Sequence, residues 1–146
     1  MNGNSSRYFA LAWFSFAVGL AAHVADEALH DFLSVYNPSV LAIRTRLPFL
    51  PLPTFTFREW ISGLTAGILI LLLLTLVARK GTRWIRFVAV VLGLLVGIAN
   101  GMGHVATSIY ARRLMPGVIS APLIIVLGAW LIREALAKEV IAQSAS

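Results

Sequence analysis

The sequence predicts an all-α integral membrane protein that folds as a four-helix bundle. Of its 146 residues, 59% are hydrophobic and 12% charged, with a mean hydropathy of +0.85, whereas soluble domains carry about 25% charged residues. A helix needs roughly 20 apolar residues to cross a bilayer, and four uncharged runs approach or exceed this length: residues 8–25, 60–78, 87–111 and 114–132. The composition disfavours a soluble enzyme, a disordered chain and a nucleic-acid-binding protein, so no nucleic acid is expected as a partner.

The first helix is predicted over about residues 8–35. Its apolar run ends near Ala25, but helix-compatible sequence continues beyond it. The alternative is a signal peptide, with Arg7 before the apolar stretch and Leu20-Ala21-Ala22 as a cleavage site. Because the positions after Ala22 carry the chain's richest polar cluster and stay in helical register, we interpret the segment as a transmembrane helix.

The remaining elements complete a single domain over residues 1–146. A link over residues 36–57 is predicted to lack regular helix and to lie on the membrane surface or over the bundle, because it contains four prolines: Pro38, Pro48, Pro51 and Pro53. Helices are then expected at about 58–79, 83–112 and 116–137. Pro122 is predicted to kink the last of these helices.

The basic residues indicate a multi-pass protein of the cell membrane with both termini in the cytoplasm. With four spans, seven basic residues share the side of the termini: Arg7, Arg79, Lys80, Arg83, Arg86, Arg133 and Lys138. The opposite side carries five: Arg44, Arg46, Arg58, Arg112 and Arg113. Cytoplasmic segments carry the excess of Lys and Arg, and seven against five favours this orientation.

Ionisable side chains gather at one predicted depth of the bundle. Each costs roughly 2.5–3.5 kcal/mol at the centre of a membrane helix, which makes it a functional candidate. Late in the first helix, one face about 100° wide carries His23, Asp26, Glu27 and His30. Glu59 begins the second helix, and the third carries a stripe of Asn100, His104 and Ser108. We therefore expect these three helices to bring polar groups together.

Glycines share these polar faces. Gly93, Gly97 and Gly101 recur every four residues on the third helix, and Gly63 and Gly67 lie on the same face as Glu59. Small residues at this spacing let membrane helices approach closely. The polar faces of the first three helices are thus predicted to be packing faces. The glycines would serve equally within one chain or between the copies of a homo-oligomer.

Histidine and carboxylate one helical turn apart can present two ligands to one divalent metal ion. We expect a site held by His23, Glu27 and His104, with His30 as a further ligand and Asn100 and Ser108 in support. Zinc suits these donors best, and iron or manganese also fits. The candidate catalytic carboxylates are Glu59, Asp26 and Glu27. Glu27-x-x-His30 matches one element of a di-iron bundle, but the chain lacks the second element.

Metal-free alternatives remain open. Burial of a carboxyl group favours its protonated form, and a nearby histidine could exchange a proton with it, as in an isomerase. A haem could lie between His104 and either His23 or His30. The same groups could form the proton or cation site of a transporter or binding protein, or could only hold the helices together.

The chain resembles the HXXEE family of small integral membrane proteins. The motif of that family is similar to His23-Val24-Ala25-Asp26-Glu27, with Asp26 at the position of the first Glu, and the region from Asn100 to Pro116-Gly117 is similar to its second signature. The resemblance implies a small helical bundle with a suspected metal-dependent or enzymatic site, and brings no specific reaction with it.

Together these features predict a metal-dependent membrane enzyme. The expected substrate is lipid-like or otherwise apolar and reaches the site from the surrounding membrane lipids. With zinc, hydrolysis is the first reaction expected, with Glu59 or Asp26 as general base.

Overall fold

The computed structural model describes the backbone of residues 3–143 and the side chains of residues 5–137. Every regular element in this part of the chain is helical: α1 (Gly3–Leu29), α2 (Leu33–Arg46), α3 (Phe57–Ala78), α4 (Arg83–Leu92), a π-helical segment (Gly93–Ala99), α5 (Asn100–Ala111) and α6 (Ala121–Gln143). Lys138, which entered the charge comparison, lies outside the described side chains. The all-helical prediction is confirmed.

The first predicted helix, 8–35, is divided in the structure. α1 ends at Leu29, a turn follows, and α2 begins at Leu33. Asp31 lies in this turn with φ of 53°. Aspartate adopts such left-handed backbone more readily than most residues, because its short side chain can form local hydrogen bonds. The polar cluster therefore lies at the last turns of α1, beside a change of chain direction.

The expectation that the 36–57 link lacks regular helix is wrong up to Arg46, because Pro38 lies inside α2. A proline in a helix removes one N–H bond to the carbonyl four residues earlier. Pro38 lies near the start of α2, so the lost bond belongs to the first turns of the helix. The helix continues beyond Pro38 to Arg46. Pro48, Pro51 and Pro53 do lie in the irregular part of the chain, residues 47–56.

The helix predicted at 83–112 is continuous from Arg83 to Ala111, but its middle is π-helical over Gly93–Ala99. π-helical turns are rare and occur frequently at functional sites. Gly93 and Gly97 lie within this segment and pack against α6, where an added Cβ on either would come within 3 Å of the backbone of Gly128. The glycine stripe on this helix is therefore a packing face.

The corresponding prediction for the second helix is wrong. A Cβ added to Gly63 or to Gly67 would meet no atom within 4 Å, so these glycines lie on an open face of α3. The glycines of the π-helical segment also pack mainly on α6 rather than on α3. A small residue every four positions permits close packing, but it does not say which neighbouring helix takes part.

The last helix begins at Ala121, five residues later than the 116–137 prediction. Residues 112–120 form a connection of turns between α5 and α6. Pro122 is the second residue of α6, where a backbone N–H has no partner within the helix, so the proline fits the first turn. It therefore does not take the mid-helix position that the predicted kink required.

The buried core is centred on α1, which packs against α3 and α6. Phe9, Trp13 and Phe16 are almost completely buried, and the Trp13 indole donates a 2.7 Å hydrogen bond to the Leu71 carbonyl of α3. At the same end, the buried Arg86 donates to the carbonyls of Glu134 and Ala135 on α6. These contacts hold the bundle together at the end where α1 begins.

Many large apolar side chains also lie on the outside of the bundle. On α3 they include Leu69, Ile70, Leu73 and Leu76, each more than half exposed. Within the described residues, three helices are long and apolar enough to cross a membrane: Ser5–Leu29, Phe57–Ala78 and Arg83–Ala111. An apolar exterior on helices of this length is suited to lipid, and indicates membrane association.

Candidate metal centre

Three potential ligands meet at the end of the bundle where α1 and α5 finish and α6 begins. We call His23, Glu27 and His104 the His/Glu/His group. One ligand atom from each lies within 4.8 Å of those of the other two, and none of the three residues is more than 7% exposed. His23 and Glu27 are one turn apart on α1, while His104 comes from α5.

The ligand atoms of the group lie close enough together to hold a metal ion between them. Glu27 Oε1 lies 3.0 Å from His104 Nε2 and 3.8 Å from His23 Nε2. The two imidazole rings meet edge to face, with centroids 4.9 Å apart. Both histidines thus direct Nε2 towards one carboxylate oxygen.

His104 is held by the connection between α5 and α6. Its Nδ1 lies 2.6 Å from the Pro116 carbonyl oxygen, and because a carbonyl only accepts, Nδ1 carries the proton. A neutral ring then presents a lone pair on Nε2 to the carboxylate of Glu27. Two lone-pair atoms 3.0 Å apart repel unless a proton or a metal ion accompanies them.

His23 is held in the same way. The Asn100 amide nitrogen lies 3.0 Å from His23 Nε2 and can only donate, so Nε2 is the acceptor. Nδ1 then donates to Ser120 Oγ at 2.7 Å. The Ser120 hydroxyl in turn donates to Asp26 Oδ2, also at 2.7 Å. A histidine ligand typically uses its second nitrogen in this manner, which fixes the ring and its tautomer.

Asp26 and His30 lie outside the His/Glu/His group. Asp26 Oδ2 accepts from both the backbone and the hydroxyl of Ser120, and Asp26 Oδ1 lies 2.8 Å from His30 Nδ1. The side chain of His30 is half exposed. Asp26 therefore orients Ser120, while His30 pairs with Asp26 on the side away from the group.

Glu59 serves the start of α3. Its Oε2 accepts hydrogen bonds from the backbone and the hydroxyl of Thr56, both at 2.8 Å, and the Thr56 hydroxyl accepts from the Glu59 backbone. This reciprocal capping box is a common helix start. Glu59 is exposed, and it is not part of the His/Glu/His group.

The supporting residues predicted on the third helix take different positions. Asn100 touches His23 directly, whereas Ser108 Oγ accepts from the Met115 backbone N–H at 3.1 Å and shapes the α5–α6 connection. Sequence reasoning missed Ser120 and the Pro116 carbonyl. The only sequence signal was Pro116-Gly117, a typical turn pair, which we had interpreted as the start of the last helix.

The fold and this group define an all-helical protein with three membrane-length helices and a buried cluster of side chains able to hold a metal ion. Comparisons of the chain with models of protein families, with curated proteins and with solved structures found no match.

Proposed function

We propose that this protein is a multi-pass membrane enzyme that uses one divalent metal ion, with zinc as the best fit and iron or manganese as alternatives. The ligands are His23, Glu27 and His104, and hydrolysis of a lipid-like substrate is the first reaction to test. The similarity to the HXXEE family, through the motif that contains His23 and Glu27, is part of this proposal.

The observation that carries the proposal is the spacing of the ligand atoms. Tetrahedral zinc with bonds of about 2.0–2.1 Å separates its ligand atoms by about 3.3–3.4 Å. The two distances from Glu27 Oε1, 3.0 Å to His104 and 3.8 Å to His23, fall on either side of that value. For an ion to bind, the Asn100 amide must turn away from His23 Nε2, because that nitrogen has a single lone pair and Asn100 now donates to it.

Two histidines and one glutamate are also a donor set of catalytic zinc sites, which keep a fourth position for water or substrate. A metal ion in such a position supplies Lewis-acid chemistry to a carbonyl or to water. The protein's own contribution is to hold the ligands: the Pro116 carbonyl fixes His104, and Ser120 fixes His23. Asp26 was predicted as a general base, but in this proposal it orients Ser120 by accepting hydrogen bonds from it.

We propose α6 as the fourth span of the bundle. α6 has 23 residues, and together with the connection before it the chain carries no charged residue over 114–132, close to the roughly 20 apolar residues that a bilayer requires. It packs against α1, the most buried helix. With four spans both termini lie on one side, and the distribution of basic residues favours the cytoplasm for that side.

The proposal is tested by metal analysis of the protein purified in detergent. We expect about one divalent ion per chain, falling to a small fraction in His23→Ala and Glu27→Gln, because each removes one of three ligands. His30→Ala is the matched control: it removes a histidine from the same helix face but leaves the His/Glu/His group intact, and should retain the ion. Substoichiometric metal that is indifferent to all three changes would contradict the proposal and favour metal-free acid–base chemistry, whereas a haem absorption band would favour haem.

A second prediction concerns Ser120. Ser120→Ala removes the hydroxyl that links His23 Nδ1 to Asp26, and leaves all three ligands in place. Loss of such a supporting contact lowers metal affinity about 10–100-fold. Competition with a chelator of known affinity measures the change, and Ser39→Ala, which removes a hydroxyl that donates only to the Val35 carbonyl within α2, is the control. Equal affinities in the two variants would show that Ser120 does not support the site.

A further inference from the structure

A cavity lies beside the His/Glu/His group, and its lining is mainly aromatic. It has a volume of about 320 Å³, at the lower end of the range of about 300–1,000 Å³ for small-molecule sites. We call it the aromatic cleft, and its lining residues are Phe32, Tyr36, Phe55, Glu59, Trp60, Gly63 and Leu64. It opens where α3 begins, at the level of the end of α1.

The aromatic rings of the cleft form a connected cluster. Phe32 lies 5.5 Å from Tyr36 and 5.8 Å from Trp60, and Tyr36 lies 6.0 Å from Phe55, measured between ring centroids. Four of the seven lining residues are therefore aromatic and in mutual contact. Gly63 adds open space on the α3 side, since a Cβ there would meet nothing within 4 Å.

The cluster is built by specific bonds between α2 and the irregular segment 47–56. The Asn37 amide donates to the Phe55 carbonyl at 2.9 Å and accepts from the Phe55 N–H at 3.1 Å. The Tyr36 hydroxyl donates to the Pro53 carbonyl at 3.2 Å. These bonds fix Phe55 opposite Tyr36. The Tyr36 hydroxyl is bound to Pro53, which does not line the cleft.

The charge of the cleft is negative. Glu59 is its one charged lining residue, and both hydrogen bonds from Thr56 go to Oε2. Oε1 has no hydrogen-bond partner among the described residues. Aromatic faces beside a carboxylate attract a large, weakly hydrated cation, and rings of this kind recognise quaternary ammonium groups. A primary ammonium would need several acceptors, which this lining does not offer.

We propose that the aromatic cleft binds the trimethylammonium headgroup of a choline-type membrane lipid. The aromatic rings contact the methyl groups, and Glu59 balances the charge. The cleft lies at the ends of two membrane-length helices, Ser5–Leu29 and Phe57–Ala78, where lipid headgroups are found.

The cleft and the His/Glu/His group share one wall. The ring of Phe32 lines the cleft, and its centroid is also 5.8 Å from that of His104. A lipid bound in the cleft would therefore place its polar region next to the proposed metal ion. The idea that this lipid is a substrate rests on the proposed function. The binding of the lipid in the aromatic cleft does not depend on that function.

The test is lipid retention measured by native mass spectrometry. The full chain is purified from micelles that contain equimolar phosphatidylcholine, phosphatidylethanolamine and phosphatidylglycerol with identical acyl chains. We expect phosphatidylcholine to be retained about tenfold over the other two. Glu59→Gln and Trp60→Leu should each reduce this preference several-fold, since one removes the charge and the other an aromatic face. Glutamine also serves in a capping box, so Glu59→Gln should still fold.

Glu134→Gln is the matched control, because it removes an acid at the opposite end of the bundle, and it should keep the preference. Equal retention of the three lipids, equal retention of phosphatidylethanolamine and phosphatidylcholine, or a preference unchanged in both cleft variants would overturn the inference. Metal analysis of the same samples separates the two proposals: a metal-free protein that selects phosphatidylcholine supports the cleft and contradicts the metal site.

Discussion

Gly117→Ala is expected to abolish metal binding without changing any ligand. Gly117 has φ of 81°, and non-glycine residues adopt left-handed backbone at a cost of roughly 1–2 kcal/mol. The larger effect is steric. A Cβ at this position would lie 2.7 Å from both Cε1 and Nδ1 of His104, and 3.1 Å from Cγ of Glu27. The imidazole must move, and the bond from Nδ1 to Pro116 breaks with it.

Metal content and thermal unfolding in detergent measure the two parts of this effect. Gly103→Ala is the matched control, since Gly103 is adjacent to His104 in the sequence but a Cβ there meets nothing within 4 Å. In a helix the same change is neutral or stabilises by up to about 1 kcal/mol. A Gly117→Ala protein with a full complement of metal would contradict the described packing of the group.

Gly128→Ala is expected to destabilise the whole bundle. A Cβ on Gly128 would lie 2.7 Å from the Gly93 carbonyl oxygen and 2.9 Å from the Gly97 Cα. Both contacts are with backbone, which cannot rotate away as a side chain can. Overpacking of this kind typically lowers the free energy of unfolding by about 1–3 kcal/mol. Here it also pushes α6 away from the π-helical segment, at the position where the two backbones are in contact.

Circular dichroism on heating the detergent-solubilised protein measures this loss as a lower unfolding temperature. Gly67→Ala makes the same chemical change on α3, where a Cβ meets nothing within 4 Å, and should leave the unfolding temperature unchanged or raise it. If the two variants unfold alike, α6 and the π-helical segment do not pack through their backbones.

The general character of the fold could be predicted from hydrophobicity alone. The helices predicted around the long uncharged runs, 58–79 and 83–112, agree with α3 and the helix Arg83–Ala111 within one residue at each end. The division between α1 and α2 could not be predicted, because residues 30–32 contain no glycine or proline. The π-helical segment could not be predicted either. Its wider turn changes which residues share a helix face, and a run of apolar side chains shows no such change in the sequence.

The candidate site could be predicted where helical periodicity carries the information. His23 and Glu27 are one turn apart on α1, and the scarcity of charge on the third helix singled out His104. Glu59 has a structural role that the sequence also signals, because the spacing Thr56-x-x-Glu59 is that of a capping box and its hydrogen bonds form one. Ser120 and the Pro116 carbonyl belong to irregular chain, for which there is no periodicity to extrapolate.

The contact between His23 and Ser120 has a consequence for how the chain assembles in the membrane. The two residues are 97 positions apart, and His104 and Pro116 enter between them. During synthesis from the N-terminus, His23 and Glu27 are therefore made well before Pro116 and Ser120, the residues that hold His104 and His23 in the folded chain. The His/Glu/His group reaches its described arrangement only after the residues just before α6 have been made, so an occupied site would report that α1, α5 and the α5–α6 connection have come together.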